Sequence, residues 1–277
     1  MTIKFKKLVI FFYIFFILCC QNVSEKRSQT TIKLASLAPS VSDCLLFLDP
    51  QKKNFAICTN YDTAKAFSSL EKVNIYPWDA EKIMLLKPDC VILLKNFNSH
   101  SVIQFLEKQK IGYYMQDADN PEKLFSSLKD IALMLNDSSM ALKKIKFLEQ
   151  EFQNLKNSIK AKGIMAFIST KPIFIHGYNS FFDHMVMHLT GERLLSPNNL
   201  NSYPQLSPES ILEMNPSILI FPNQHTVDNL FSSIPILKKV SAYKNQKLVI
   251  FDENCMARPS PNCVECLKKL KKILEVL

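Results

Sequence analysis

Two phrases in this chain repeat one another. Residues 80–93 read AEKIMLLKPDCVIL and residues 208–221 read PESILEMNPSILIF. In register, Glu81 meets Glu209, Ile83 meets Ile211 and Pro88 meets Pro216, all at one offset of 128 residues. Each phrase is a short amphipathic helix pattern, a proline that ends it, and an apolar run of strand length. A helix–proline–strand unit written twice at that distance points to two halves built alike.

The rest of the sequence agrees. In the first half, strand-like runs at 32–38, 55–59, 90–94 and 111–116 alternate with helical patterns at 40–48, 79–86, 101–110 and 121–136. In the second half, strands are expected at 164–170, 171–177, 217–221 and 247–251, with helices at 180–191, 208–214, 228–239 and 261–276. Such alternation predicts an α/β fold with mainly parallel sheets flanked by helices. Residues 137–163 break the rhythm. Asp137 and Ser138 suit a helix start and Gly163 an end, while Ala141, Ile145, Leu148, Phe152, Leu155 and Ile159 form one apolar stripe. That pattern predicts one continuous helix of roughly 37 Å bridging the two lobes.

The N-terminus reads as a targeting segment. Lys4, Lys6 and Lys7 precede LVIFFYIFFIL at 8–18, too short for a comfortable membrane span and suited to a signal-peptide core. It ends in ILCCQN, which resembles the lipobox of bacterial lipoproteins with Cys20 as the lipidated residue; Cys19 and an uncleaved anchor are the alternatives. The expected division is a signal peptide at 1–19, a polar tether at 20–31, an N-terminal lobe at 32–136, the bridging helix at 137–163 and a C-terminal lobe at 164–277. The chain is thus expected outside the cytoplasm, tethered to a membrane.

Composition excludes several functions. The formal charge of +9 falls to +6 once the three leader lysines are removed, and the remaining basic residues are interleaved with acids on helix faces, so no nucleic-acid stripe is formed. Four glycines and no GxGxxG or GxxxxGK leave no glycine-rich phosphate loop. There is no GxSxG and no HExxH, and no catalytic residue is assigned. Among the cysteines, Cys44, Cys58 and Cys90 sit in apolar runs and read as buried small hydrophobes. Cys263 and Cys266 form a lone CxxC, and a disulfide from Cys255 to one of them is the expected pairing.

Several phrases together are similar to the substrate-binding lipoproteins of ABC importers, in the group whose lobes are bridged by one helix. They are LASLAPSVSD at 34–43, AEKIMLLKPDCVILL at 80–94, HGYNSFFDHMVMHLTG at 176–191, YPQLSPESILEMNPSILIF at 203–221 and RPSP at 258–261. Members of that group bind cobalamin, iron–siderophores or haem, and the cobalamin branch also carries an aromatic before the first Glu helix and an aromatic-Pro-Gln before the second. The resemblance implies a monomeric receptor working with permease and ATPase subunits, with Glu81 and Glu209 as its docking carboxylates. It implies a ligand between the lobes, met by loops at strand C-termini. Those loops supply Ser40, Tyr61, Tyr76, Trp78 and Lys95 from one lobe, and Tyr178, Asn179, Tyr203, His225 and Met256 from the other. Trp78 and Tyr203 are expected to face the cleft. Lys95 could serve an anion, but Arg258 is the only arginine on the cleft loops. That favours a neutral or weakly charged corrinoid over a catecholate complex. A siderophore, haem or bare-metal receptor is the alternative. For a bare metal, His176 and His225 are the candidates in the second lobe; His184 and His188 read as a helix surface and a lobe contact. No resident cofactor or metal is assigned; the ligand itself is expected to be a cobalt or iron chelate.

Overall fold

The computed structural model of the protein describes residues 31–135, 138–197 and 201–277. The signal peptide, Cys20 and all but the last residue of the tether lie outside these. Strand β1 (Leu34–Ser36) is buried throughout. It is shorter than its apolar run because Ser36 Oγ donates to the Ala38 carbonyl and turns the chain into α1 (Pro39–Leu48). Then come β2 (Phe55–Thr59), β3 (Glu71–Val73) and α2 (Ala80–Leu86), whose first turn is capped by the Asp79 side chain accepting from the Lys82 N–H. Strand β4 (Cys90–Leu94), α3 (His100–Lys108), β5 (Gly112–Gln116) and α4 (Pro121–Met134) complete the lobe. The five strands are parallel in the order β3-β2-β1-β4-β5.

Helix α5 (Ser138–Asn154) crosses between the lobes with 17 residues, about 25 Å, well short of the expected 137–163. The reason lies in tertiary hydrogen bonds. Beyond Asn154 the chain breaks into short turns, and Asn157 takes a left-handed φ of 50°. The N–H of Asn157 then donates to the His188 carbonyl and that of Ile159 to the Leu189 carbonyl. Leu155 and Ile159 are buried as the stripe requires, but from a loop tied to another helix. Apolar spacing reported burial correctly here and conformation incorrectly.

The second lobe opens with β6 (Ile164–Thr170) and its antiparallel partner β7 (Ile173–His176). Helix α6 (Phe181–Thr190) starts at a Ser180 cap and stops at Gly191, φ 80°. After α7 (Pro208–Met214) and β8 (Ile218–Phe221), α8 (Gln224–Ser233) and a 3-10 turn (Pro235–Lys239) replace the single helix expected at 228–239. Pro235 separates them, since it has no N–H to continue the helix and pushes Ile234 out of helical geometry, to φ −134°. Helix α9 (Ser241–Lys244), β9 (Leu248–Ile250), α10 (Glu253–Ala257) and α11 (Cys263–Leu274) follow. The sheet order is β7-β6-β8-β9. A disulfide joins Cys255 of α10 to Cys266 of α11, one of the two pairings expected, and Cys44, Cys58 and Cys263 are buried free thiols.

The repeated phrase folds into one unit twice. Helices α2 and α7 are each seven residues long, each buries one isoleucine, Ile83 or Ile211, and each ends at a left-handed residue, Lys87 or Asn215. The cap N–H of Lys87 donates to the Ile83 carbonyl, and that of Asn215 to Ile211. After the proline, the carbonyl of Lys33 accepts from Asp89 and Cys90, as that of Gly163 accepts from Ser217 and Ile218. Each strand is thereby set beside the first strand of its own lobe.

The larger hydrophobic core is shared. Leu34, Cys44 and Leu128 from the first lobe, Ile145 and Phe152 from α5, and Phe182, Leu189, Cys263 and Leu270 from the second belong to one continuous buried cluster. The other face of each sheet has a core of its own. Residues 32–277 form one compact unit.

Candidate functional site

Parallel strands deliver their C-terminal loops to one edge of a sheet, and on the second lobe that edge borders a cavity. On the second lobe the wall is made by strand alternation. Along β7, Ile173 and Ile175 point into the lobe's private core, which places Phe174 and His176 on the opposite face. Those two side chains line a cavity of about 380 Å³ with Phe167, Tyr203 and Met256. His176 is only 4% exposed; Phe182 and Tyr203 pack on its ring at centroid distances of 5.4 and 5.9 Å. Its Nδ1 is sealed from solvent and has no hydrogen-bond partner among the described residues. Burial lowers its pKa to about 4, so the imidazole is neutral at pH 7.

Tyr203 owes its place to Gly177. A Cβ there would come within 2.6 Å of Pro204 Cδ, so glycine alone lets the 201–204 segment lie against the end of β7. The backbone bonds from Gly177 to Ser202 and from Ile175 to Pro204 follow from that approach. Tyr203 is left 50% exposed over His176. Burial, with the charge of Asp119 added, raises its phenol pKa. That charge comes from the loop after β5 in the first lobe.

The first lobe offers a mixed lip. Tyr61 and Tyr76 are exposed, and Tyr76 stands edge-on to Phe97 at 6.4 Å. Ser40 is buried in the first turn of α1. Trp78 does not project into open space: it packs edge-on to Phe105 at 5.9 Å, and its indole N–H is sealed without a partner. Lys95 is not a free cation. Its ammonium lies 3.0 Å from Asp117 and 2.7 Å from Asp119, and Lys123 binds the same two carboxylates at 3.0 Å each. Burial works to raise the Asp117 pKa, but hydrogen bonds from Lys95, the Asp119 backbone and Lys123 outweigh it and bring it to about 2.

Two other expected ligand contacts, Tyr178 and Asn179, are engaged within the second lobe. Asn179 takes a left-handed φ of 65°, and the Arg193 guanidinium donates to it at 3.2 Å while lying 5.7 Å over the Tyr178 ring. Arg193 is anchored at 2.7 Å by Asp183, a carboxylate with 0% exposure that also accepts from the Asn179 and Leu194 N–H groups. His225 is exposed in the first turn of α8, shares a hydrogen bond with Asn229 and lies outside the cavity lining. His188 stacks on Phe152 at 3.7 Å and bonds its carbonyl, the lobe contact expected of it. Among the described residues, no group of three or more His, Cys, Asp or Glu side chains is placed to hold a metal ion. Phe167, Phe174 and Glu253 of the cavity wall carry no motif in the sequence, and His176 reads there only as a bare-metal ligand. The alternation of Phe174 and His176 along β7 was the signal available.

Glu81 and Glu209 occupy matching positions in the first turns of α2 and α7. Both are exposed, and no hydrogen bond or ion pair within the described residues engages either carboxylate.

Comparison with known proteins fits this construction. A vitamin B12-binding protein of Vibrio parahaemolyticus is 22% identical over 239 residues, covering 85% of this chain and 86% of that protein. An uncharacterized ABC transporter substrate-binding lipoprotein of Bacillus subtilis is 21% identical over 265 residues, covering 90% of this chain and 81% of that one. The crystal structure of a periplasmic vitamin B12 binding protein of Vibrio cholerae superposes with a TM-score of 0.76 at 18% identity, over 88% of this chain and 96% of that one. The sequence profile of the periplasmic binding proteins matches residues 35–255. The two-sheet fold and this match together place the chain in the periplasmic binding protein family, as a substrate-binding protein of an ABC importer that works outside the cytoplasm with permease and ATPase partners.

Proposed function

We propose that this protein captures a preformed metal chelate, a corrinoid of the cobalamin type, between its lobes and hands it to a membrane permease. The observation that carries the reading is the chemistry of the cavity wall. It offers aromatic faces, the Met256 thioether and one neutral imidazole, and among the described residues it lacks the three or more ligating side chains a bare ion needs. A metal whose equatorial positions are already filled needs no such set. The vitamin B12-binding relatives support the same choice. In this reading Tyr203, His176 and Met256 meet the ligand from one side and Tyr61 and Tyr76 from the other. Glu81 and Glu209 dock on the permease, and Cys20 carries the lipid that holds the protein at the membrane. The protein acts as a binder, without catalysis.

Thermal unfolding with cyanocobalamin, haem, an iron(III) hydroxamate or zinc tests this. A ligand at a hundred times its dissociation constant adds about 2.7 kcal/mol, or roughly 5–10 °C in midpoint for a chain of this size. Cyanocobalamin should give that shift at micromolar concentration. Silence with cyanocobalamin and a shift with haem, the iron chelate or zinc would overturn the corrinoid in favour of that ligand.

A further inference from the structure

We propose that the cleft selects a chelate without net negative charge, and that Asp117 and Asp119 impose that selection by holding Lys95 and Lys123. The proposal rests on the chelate-receptor reading above and narrows its substrate class.

The argument begins with where the cations are. Lys95 follows β4 and Lys123 lies in the first turn of α4, which follows β5, so both sit by the C-terminal ends of neighbouring strands of the first sheet. Each ammonium is bonded to Oδ2 of Asp117 and Oδ2 of Asp119, at 2.7–3.0 Å in all four contacts. Asn96 adds a donor to Asp119 Oδ1 at 3.3 Å, and the Asp119 N–H donates to Asp117 Oδ1 at 3.1 Å. The four charges sum to zero, and two charge-assisted bonds occupy each lysine. An anionic ligand could recruit these lysines only by drawing them off carboxylates that would then face it.

Among the described residues, no lysine or arginine lines the second-lobe cavity. Arg193 is held by the buried Asp183. Arg258 faces Asp43 at 3.8 Å. Lys171, at the tip of the β6–β7 hairpin, is exposed and outside the cavity lining. Among the described residues, the one charged residue that does line the cavity is an acid, Glu253. The negative charge of Asp119 works to raise the pKa of both Tyr203 and His184 in the second lobe, so its influence reaches beyond its own lobe. The field over the site is neutral to negative. Since the side chains of Lys95 and Lys123 are 40% and 45% exposed, solvent and salt screen it, and the selection should be graded instead of absolute.

The test uses isosteric ligands that differ in charge. Cyanocobalamin is compared with the same corrinoid after one or three peripheral carboxamides are hydrolysed to carboxylates. A neutral trihydroxamate and a trianionic tris-catecholate of iron(III) form a second pair. Binding to the full chain is measured by calorimetry at low and moderate salt. The native protein should bind the neutral member of whichever pair it accepts at least about tenfold more tightly than the trianion, with the gap narrowing as salt rises. The double variant D117N/D119N keeps the side-chain shapes and frees both lysines. It should raise the trianion's relative affinity about tenfold while the neutral ligand changes less than about threefold. Native protein that binds the trianion as tightly as the neutral form overturns the inference without any variant. So does a folded double variant with an unchanged ratio. If no chelate of either charge binds, the receptor reading itself fails and takes this inference with it.

Discussion

His176 carries a nitrogen that is sealed and unpartnered among the described residues, in the wall of the second-lobe cavity. Burial lowers its pKa from 6.5 to about 4. The sign of the resulting pH dependence follows. The unfolded chain takes up the proton below pH 6.5 and the folded protein does not until about 4. The stabilisation is therefore complete above pH 6.5 and is lost as the pH falls towards 4, amounting to about 2 kcal/mol at pH 5. Asp43 acts in the opposite sense: burial lifts its carboxyl to about 6 against the pull of Arg258. The two are separated by comparing native protein with His176→Phe in urea at pH 7 and pH 5. The variant should lose about 2 kcal/mol less across that interval, whatever its stability at pH 7. Parallel losses would show that His176 does not stay neutral. At this scale the sequence was only partly legible. The types of residue at the cleft could be read, but not their engagement. Lys95 meets Asp117 and Asp119 because β4 and β5 are neighbours in the sheet, a pairing that neither phrase carries alone.

Among the elements, the repeated unit was legible because every part of it is local: a cap, one buried isoleucine, a left-handed end, a proline and a strand. The bridging helix was less so, since the hydrogen bonds that end it come from α6, distant in sequence. The short β3, α9 and α10 were not anticipated; three to five residues are too few to show a period. The repeat also frames a test of docking. Glu81 and Glu209 are exposed and unengaged, so they are free to pair with arginines of a permease. Reversing both to Arg forfeits favourable helix-dipole interactions worth about 0.3–1 kcal/mol each, too little to unfold the protein. Ligand affinity should stay within about twofold, and uptake by cells or by permease in liposomes should drop at least tenfold, in line with loss of two desolvated charge pairs. Normal uptake by the double variant would remove the docking role.

For the whole molecule, the shortened bridge changes the source of rigidity. A helix of 17 residues followed by a turn is a weaker strut than the continuous one expected. The lobes are held instead by the core they share. Phe152 of α5 packs at 5.3 Å from Phe125 of the first lobe and at 3.7 Å from His188 of the second. Cys44 and Cys263, from different lobes, are buried in the same cluster. Wide opening would expose these side chains, and each large apolar group brought into water costs about 1.5–3 kcal/mol. Ligand binding would have to supply several such amounts to drive a large hinge motion. The expected difference between empty and filled forms is accordingly a few ångströms at the lips, carried by Tyr61, Tyr76 and Tyr203, with the lobes nearly fixed. For about 250 residues the radius of gyration is near 18 Å, and it should change by less than about 0.5 Å when ligand saturates the protein in solution scattering. A contraction beyond about 1 Å would mean that the shared core parts in the empty state. Amide exchange discriminates further: Phe152, Leu189 and Leu270 should be equally protected with and without ligand, because their surroundings belong to the frame and not to the moving parts.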